Sequence, residues 1–429
     1  MPVCEVSTNQ FCDTEESDMS DRGIMPVDWE DRLDTNRMLR ERLQRAKDAL
    51  AATDVDVLFV FRPEDARYLT GYRHHLGPAY IEGNAVVVLP KGGEPVLWTM
   101  DYEHCRKRMS WMSKDQIMPR ANFREKIGMR RWVEQVESLV GSLAGKTVGV
   151  DIWSPLLEGE LRDALPRTSF VDGYHGVMMR AKEVKTEDEK DCLRIANVMT
   201  EAAFDAALRF MRPGVRECEV LAVAWQTMTA LGSEWTQCQN IVASGPYTAP
   251  YRRFTSDRII RNGDLVIIDI GACFNGYYGD LTRVYVCGNV KPTQAQREVH
   301  QKVYTALFDA ADVTKPGATN ADVFAAADPY VLDNLGHGAG TNPWEPPFFS
   351  PASKDAPVTL KEGMVFNLEP YHGTEEVGGV RLENDHIITA DGVEIYTTYP
   401  FDERLVIDVH DRDVTTGRTR ETVPIVGMG

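Results

Sequence analysis

Two aspartates, Asp269 and Asp280, stand eleven residues apart in the run VIIDIGACFNGYYGDLTR (residues 266–283), on either side of Asn275-Gly276. Asn-Gly between apolar, β-rich runs is the strongest short-range hairpin signal, because both central residues of a type I′ turn need positive φ. A two-residue loop sets Phe274 opposite Tyr277, Gly271 opposite Asp280 and Asp269 opposite Thr282. Opposite residues share a face, so the two aspartates become diagonal neighbours, about 7–8 Å apart at the backbone and closer at the carboxylates. Gly271 leaves the gap between them open. Two carboxylates held that close cannot both stay ionised cheaply without a cation, so the pattern asks for metal.

Three further segments add candidates. GHGAG (336–340) sets His337 among glycines, in a loop so open that the imidazole has little side-chain packing. It reads as a ligand or as a hydrogen-bonded turn residue. GMVFNLEP (363–370) puts Glu369 on an otherwise apolar strand. An unpaired glutamate is almost never fully buried, so an inward Glu369 needs a cation. GVRLEN (379–384) puts Arg381 and Glu383 on one face of a strand by period two. Taken singly, each is explained equally well by a salt bridge or by exposure; it is their combination that points to a site.

The elements that must carry these residues form two units. Residues 34–52 read as an amphipathic helix with Leu39, Leu43 and Ala46 at helical spacing. Residues 55–61 read as a strand, 84–89 and 95–100 as a hairpin, and 147–152 as another strand, which makes residues 27–178 an α/β unit. The second unit opens at a capping box, Thr186 to Glu189, followed by a helix to about Arg209 that stops at Pro213-Gly214. Further helices are expected from Arg216 to Leu231, after Thr293 and near 322–327, with strands near 364–370 and 379–388. This is α+β with antiparallel pairs. The Gly-rich dinucleotide, P-loop and G-x-S-x-G motifs are absent, which counts against dinucleotide, nucleotide and serine-hydrolase chemistry.

Composition bounds the class. The chain has 429 residues, 43% apolar and 26% charged, with a net charge of −18, which argues against a nucleic-acid or anionic-membrane partner. No apolar run approaches the roughly 20 residues of a membrane helix, and the start MPVCEVS lacks a basic segment ahead of an apolar core, so no signal peptide is expected. Eight scattered cysteines without a C-x-x-C pair suggest reduced thiols and a cytoplasmic protein. Residues 1–26 are acidic and weakly patterned, and are expected to be disordered or extended. Residues 409–429 read as a C-terminal tail.

The ordered series DIGA…GYYGDLTR, GHGAG, NLEP and VRLEN resembles the pita-bread metallopeptidase superfamily, which includes Xaa-Pro aminopeptidases, prolidases, methionine aminopeptidases and creatinase. ARYLTGY (66–72) and WTMDY (98–102) resemble the creatinase-type N-terminal domain. The resemblance implies a creatinase-like N-terminal α/β domain over 27–178 and a pita-bread catalytic domain over 179–408. It also implies two divalent ions held by Asp269, Asp280, His337, Glu369 and Glu383, with Asp280 and Glu383 bridging and Glu369 doubling as proton shuttle. Four carboxylates and one imidazole suit Mn²⁺ first, with Fe²⁺, Co²⁺ or Zn²⁺ as alternatives. Two such ions lower the pKa of a shared water from 15.7 toward about 7, and in the family the resulting hydroxide attacks an amide. A homodimer and a small-molecule substrate are the implied partners.

Two positions depart from the peptidase pattern. A histidine about seventeen residues before the first aspartate is replaced by Arg252, and the second histidine of an H-G-x-G-x-x-x-H-E-x-P run by Trp344. Arginine is no base at neutral pH, and tryptophan only donates. The altered helpers resemble the dimethylsulfoniopropionate (DMSP) lyases of the superfamily, though an aspartate base near Trp344 and an Asp-x-Asp variant of the first metal motif are absent. Trp344, Tyr247, Tyr251 and Tyr371 are candidates for an aromatic wall facing a cationic or apolar substrate group, and Arg252 and Arg381 for a carboxylate clamp. Packing at the rim and a rim salt bridge are the plainer alternatives. His74 and His75 lie in an N-domain loop that in creatinase-like dimers can reach the neighbour's site, with exposed loop histidines as the plainer reading. The leading expectation is a hydrolase of small carboxylate-bearing amides or dipeptide-like compounds. The second is a lyase of the DMSP type, and the third a non-catalytic binding module.

Overall fold

The computed structural model describes residues 33–73, 85–120, 126–236, 240–251, 254–327 and 334–415. The expected disordered segment 1–26, His74, His75, Arg252 and the end of the tail from residue 416 lie outside the described residues.

The first lobe is built on a six-stranded sheet. Its elements are α1 (Thr35–Ala51), β1 (Val57–Val60), α2 (Pro63–Thr70), β2 (Ala85–Pro90), β3 (Val96–Thr99), α3 (Tyr102–Arg108), β4 (Ile117–Pro119), α4 (Lys126–Val140), β5 (Thr147–Val150), α5 (Pro155–Ala164), β6 (Ser169–Asp172) and α6 (Met179–Lys182). The strand order is β4-β3-β2-β1-β5-β6. The pairs β1–β2 and β2–β3 are antiparallel, the second a hairpin, while β1–β5, β3–β4 and β5–β6 are parallel. Both faces are covered. Leu58 and Val60 point into one core with Ala46, Leu50 and Leu69, and Val57 and Phe59 into the other with Trp132, Val136 and Leu161. Two-sided burial is why β1 reads as a continuous apolar run rather than an alternating one.

The second lobe begins with α7 (Glu187–Phe210), whose capping box forms as the sequence predicts: Thr186 Oγ1 accepts the Glu189 N–H, and Glu189 accepts the Thr186 N–H at 2.8 Å. Then come α8 (Glu217–Ala230), β7 (Ile241–Ser244), β8 (Leu265–Ile270), β9 (Cys273–Phe274), β10 (Tyr277–Tyr278), β11 (Leu281–Val286), α9 (Gln294–Val313) and α10 (Asn320–Ala327). The chain closes with β12 (Gly336–Gly338), β13 (Glu345–Phe349), β14 (Val365–Leu368), β15 (Tyr371–Thr374), β16 (Gly378–Arg381), β17 (Asn384–Ile388) and β18 (Val393–Ile395). The sheets run β11-β8-β7 and β13-β12-β14-β17-β18, with β15–β16 as a separate ribbon. Alternation along β8 divides the interior: Val266, Ile268 and Ile270 face the core of α7 and α8, and Leu265 and Ile267 face the core of α9 and α10.

Two sequence expectations are corrected here. The expected strand near 379–388 is two strands, because β16 pairs with β15 and β17 pairs with β14. The chain changes partner at Leu382–Glu383, where the Glu383 N–H donates to the Thr282 carbonyl instead. The expected open loop at His337 is a buried strand, β12, between β13 and β14. Its glycines serve close backbone packing: a Cβ at Gly336 would meet the Asn367 carbonyl oxygen at 2.1 Å.

Among the described residues, no helix is long and apolar enough to cross a membrane, and Cys105, Cys192, Cys218, Cys273 and Cys287 are free thiols.

His300 on α9 is fully buried against Tyr304 and Phe401, and neither ring nitrogen is hydrogen-bonded among the described residues. Burial pushes its imidazole from the usual 6.5 down to about 3. The unfolded chain therefore takes up a proton near pH 6.5 that the folded chain refuses. The contribution of the neutral imidazole is full above about pH 6.5 and is lost progressively as pH falls toward 3. Urea unfolding of the metal-free protein at pH 7 and pH 4.5 should show His300→Leu losing about 2 kcal/mol less than wild type across that interval. Equal losses would mean that His300 binds its proton alike in the folded and unfolded states, so that burial does not depress it.

Candidate metal centre

The predicted hairpin forms. Asn275 and Gly276 have φ of 50° and 82°, Tyr277 pairs with Phe274, and Thr282 pairs with Asp269. The two pairings keep one register across the gap between them, which puts Asp269 and Asp280 on the same face, with Thr282 and Val284. Asp269, Asp280 and Glu383 each offer a buried carboxylate oxygen, and the three oxygens lie within 4.8 Å of one another. His337 joins them from β12: its Nε2 is 4.0 Å from Asp280 Oδ2 and 3.7 Å from Glu369 Oε1. Its Nδ1 sits 3.2 Å from the Gly338 carbonyl oxygen. A proton on Nδ1 satisfies that carbonyl and leaves the Nε2 lone pair facing the acids. Glu369, one residue beyond β14, and Glu383, just ahead of β17, complete the ring.

Neutral donors hold the acids in place. Thr282 Oγ1 donates to Glu383 Oε2 at 2.7 Å, and Asn367 Nδ2 donates to Asp280 Oδ2 at 3.2 Å. Asn367 also accepts the His337 backbone N–H at 3.0 Å, and Asn334 Nδ2 donates to Glu369 Oε1 at 3.1 Å. The sequence reasoning passed over these three. Thr282 and Asn367 carry a legible signal, since each lies two residues from a candidate ligand along a strand. Asn334 carries none. Arg283 anchors the backbone behind the site: it donates to the carbonyls of Glu383 and Tyr399 and stacks over Phe401 at 4.1 Å.

The electrostatics show what the pocket wants. Burial and the neighbouring Asp269 carboxylate push the Glu383 carboxyl up to about 7. Its Oε1 is buried with no hydrogen-bond partner among the described residues. Burial and the Glu383 carboxylate push Asp385 well above the carboxylate range as well. A buried carboxylate with one oxygen lacking a donor, gathered with two other carboxylates, suits the donor set of a divalent cation. The residues present therefore fit the metal ions that the sequence pattern implies.

The remaining candidates divide. Arg381 is buried and spent on internal partners: its Nη1 reaches Asp269 Oδ2 at 2.9 Å and the Tyr251 hydroxyl at 2.8 Å, and its Nη2 pairs with Glu369 Oε2. It balances ligand charge here rather than standing free to clamp a substrate. Tyr251 is also buried, donating to Asp269 Oδ2 at 2.5 Å and stacking on the buried Tyr371 at 5.4 Å. Tyr371 in turn donates to the Thr248 carbonyl. These two rings are packing, not a wall open to substrate. Tyr247 and Trp344 are 49% and 52% exposed. The Trp344 indole stands edge-on to His337, 6.1 Å away at 76°. Its neighbour Glu345 is locked in place by two buried lysines, with Lys185 Nζ at 3.0 Å and Lys182 Nζ at 3.4 Å. Against the desolvation, these lysines draw the Glu345 carboxyl down to about 2. Lys182 also pairs with Asp65 of the first lobe at 2.7 Å.

Comparison with known proteins agrees with this geometry. Residues 191–390 match metallopeptidase family M24, and residues 42–179 match the creatinase/prolidase N-terminal domain. A Xaa-Pro dipeptidase of Pyrococcus furiosus is 28% identical over 371 residues, covering 84% of this chain and 98% of the relative. The solved prolidase from Pyrococcus furiosus superposes with a TM-score of 0.68 at 27% identity, covering 82% of this chain and 98% of that one. A Xaa-Pro dipeptidase from Bacillus anthracis shares the fold, with a TM-score of 0.72 at 24% identity, over 85% of this chain and 99% of its own. With both lobes matched in order and an acidic cluster within the second, the chain belongs to the pita-bread metallopeptidase superfamily, as a creatinase-like N-terminal domain followed by a pita-bread catalytic domain.

Proposed function

We propose that the protein is a dinuclear metal-dependent hydrolase that cleaves a C–N bond in a small, carboxylate-bearing amide or dipeptide-like substrate. The observation that carries this is the buried trio Asp269, Asp280 and Glu383, with oxygens within 4.8 Å and Glu383 Oε1 without a hydrogen-bond partner among the described residues. His337 and Glu369 supply the remaining ligands in this reading. Mn²⁺ is the favoured ion and a homodimer the favoured assembly. The names of the similar proteins, Xaa-Pro dipeptidase and prolidase, support the peptide-like substrate class.

When bound, two divalent ions supply Lewis acidity and acidify water at neutral pH. The protein's own residues do the rest. Thr282, Asn367 and Tyr251 fix Glu383, Asp280 and Asp269 in turn, so that the ligand oxygens need no reorganisation. Glu369 lies against His337 with its Oε1 held by Asn334, where it can carry a proton to the departing amine. Arg381 pairs with both Asp269 and Glu369. Trp344 presents an apolar edge where the peptidase pattern has a histidine, and it cannot relay a proton. This substitution favours small substrates with an apolar or cationic group over ordinary Xaa-Pro peptides, and together with Arg252 it favours the lyase as a second reading.

Incubating the Mn²⁺-loaded protein with Xaa-Pro dipeptides, N-acyl amino acids, creatine-like compounds and DMSP, and reading products by mass, should show gain of one water on a C–N substrate. Splitting without water, with dimethyl sulfide in the headspace, would replace hydrolysis by elimination. Asp280→Ala should lower turnover by at least about 100-fold; turnover unchanged from wild type would remove the metal centre from the reaction.

A second expectation concerns the balance between charge and stability. Glu383→Gln keeps an acceptor for Thr282 and adds a donor beside Asp269. The metal-free variant should be about 1 kcal/mol more stable than wild type in urea, while its Mn²⁺ affinity by calorimetry falls about 10-fold or more. A metal-free variant less stable than wild type would mean that the acids do not repel one another.

A further inference from the structure

We propose that the first lobe is part of the metal centre: Arg67 and Arg42 are positioning residues that grip the tip of the ligand hairpin and thereby fix the spacing of Asp269 and Asp280. The inference rests on the reading of the acidic cluster as a metal site.

The hairpin needs an outside hold. Beyond β8 and β11 it narrows to β9 and β10, paired through two residue pairs only. A ribbon that short is marginal by itself. Each residue of the turn and its exit is met from the first lobe. Arg67, on α2, donates from Nη2 to Asn275 Oδ1 at 2.8 Å. The same guanidinium is held by Glu234 at 2.6 and 3.1 Å, so it is aimed rather than loose. It lies across Gly276 so closely that a Cβ there would stand 2.8 Å from Arg67 Nη1. Gly276 is thus demanded twice, by its φ of 82° and by this contact. Arg42, buried on α1, donates to the Tyr277 hydroxyl at 3.1 Å and to the Arg67 carbonyl at 3.1 Å, tying the two grips together. Tyr277 passes the hold to α7 by donating to Glu189 Oε1 at 2.9 Å, the carboxylate that also caps that helix. The turn is therefore pinned on one side by two arginines and on the other by the start of α7.

The consequence for the ligands is geometric. Asp269 and Asp280 lie on opposite arms of this hairpin, and their relative height depends on its register. A tip free to twist lets the arms shear and the carboxylates part. The guanidiniums touch neither ligand, so their effect travels through the backbone.

Three variants test this: Arg67→Ala, the conservative Arg67→Lys, and Arg37→Ala. The last breaks a different bond between the lobes, Arg37 to Asp188 at 2.7 and 2.8 Å, without touching the hairpin. Amide hydrogen exchange over residues 272–279 is measured on metal-free protein, and Mn²⁺ affinity by calorimetry. Arg67→Ala should speed exchange across the tip and weaken Mn²⁺ binding about 10-fold, Arg67→Lys should recover part of both, and Arg37→Ala should change neither. Wild-type Mn²⁺ affinity in Arg67→Ala overturns the proposal, as does an equal loss in Arg37→Ala, which would mean general loosening between the lobes. If Arg67→Ala does not fold, Glu234→Gln, which removes the charge that seats Arg67, is measured in its place under the same criteria. If wild type binds no Mn²⁺, the metal reading fails on its own. Exchange then decides the grip: unchanged protection over 272–279 in the variants overturns it.

Discussion

Like charges forced together out of water are the constraint around which the second lobe is arranged. Three carboxylates within 4.8 Å, with a fourth and an imidazole beside them, oppose folding. The fold tolerates this because the acids stand on strands whose remaining residues are densely apolar. On β8, Val266, Ile267, Ile268 and Ile270 are fully buried beside Asp269. Burial of those side chains contributes roughly 2 kcal/mol each, enough to offset a strained polar centre. The same dryness that makes the acids repel strengthens their grip on a cation.

Uncharged donors then set the geometry. Thr282, Asn367 and Asn334 each fix one acid without neutralising it, whereas Arg381 brings positive charge into the ring. Neutral donors orient a carboxylate and leave its charge available, so the division of labour suits a ligand set. The alternating parity of β8 and β11 gives the acids one face, and the change of partner between β16 and β17 turns Glu383 toward them.

The hairpin was the most legible part of the sequence. Asn275-Gly276 specifies a turn with two positive φ values, and period two then fixes the rest. The capping box at Thr186 was legible for the same reason, a short-range pairing of side chain with backbone. His337 was misjudged as lying in an open loop, because glycines that admit a tightly packed neighbouring strand look the same as glycines that admit flexibility. Tyr251, Tyr371 and Arg381 read as substrate-facing in the sequence, since nothing local reveals that their partners are Asp269, Thr248 and Glu369, up to 123 residues away. Short-range chemistry shows in a sequence; the destination of a buried polar side chain does not.

Glu345 carries a consequence for how such enzymes diversify. It fastens the strand beneath Trp344 to Lys182 and Lys185, and Lys182 reaches on to Asp65. The orientation of the indole is therefore inherited partly from the neighbouring lobe. A chimera that grafted this catalytic half onto a foreign N-terminal half would transplant the tryptophan without its footing. The footing of Trp344 in this chain is a property of the two halves jointly, and selection acting on one must reckon with the other.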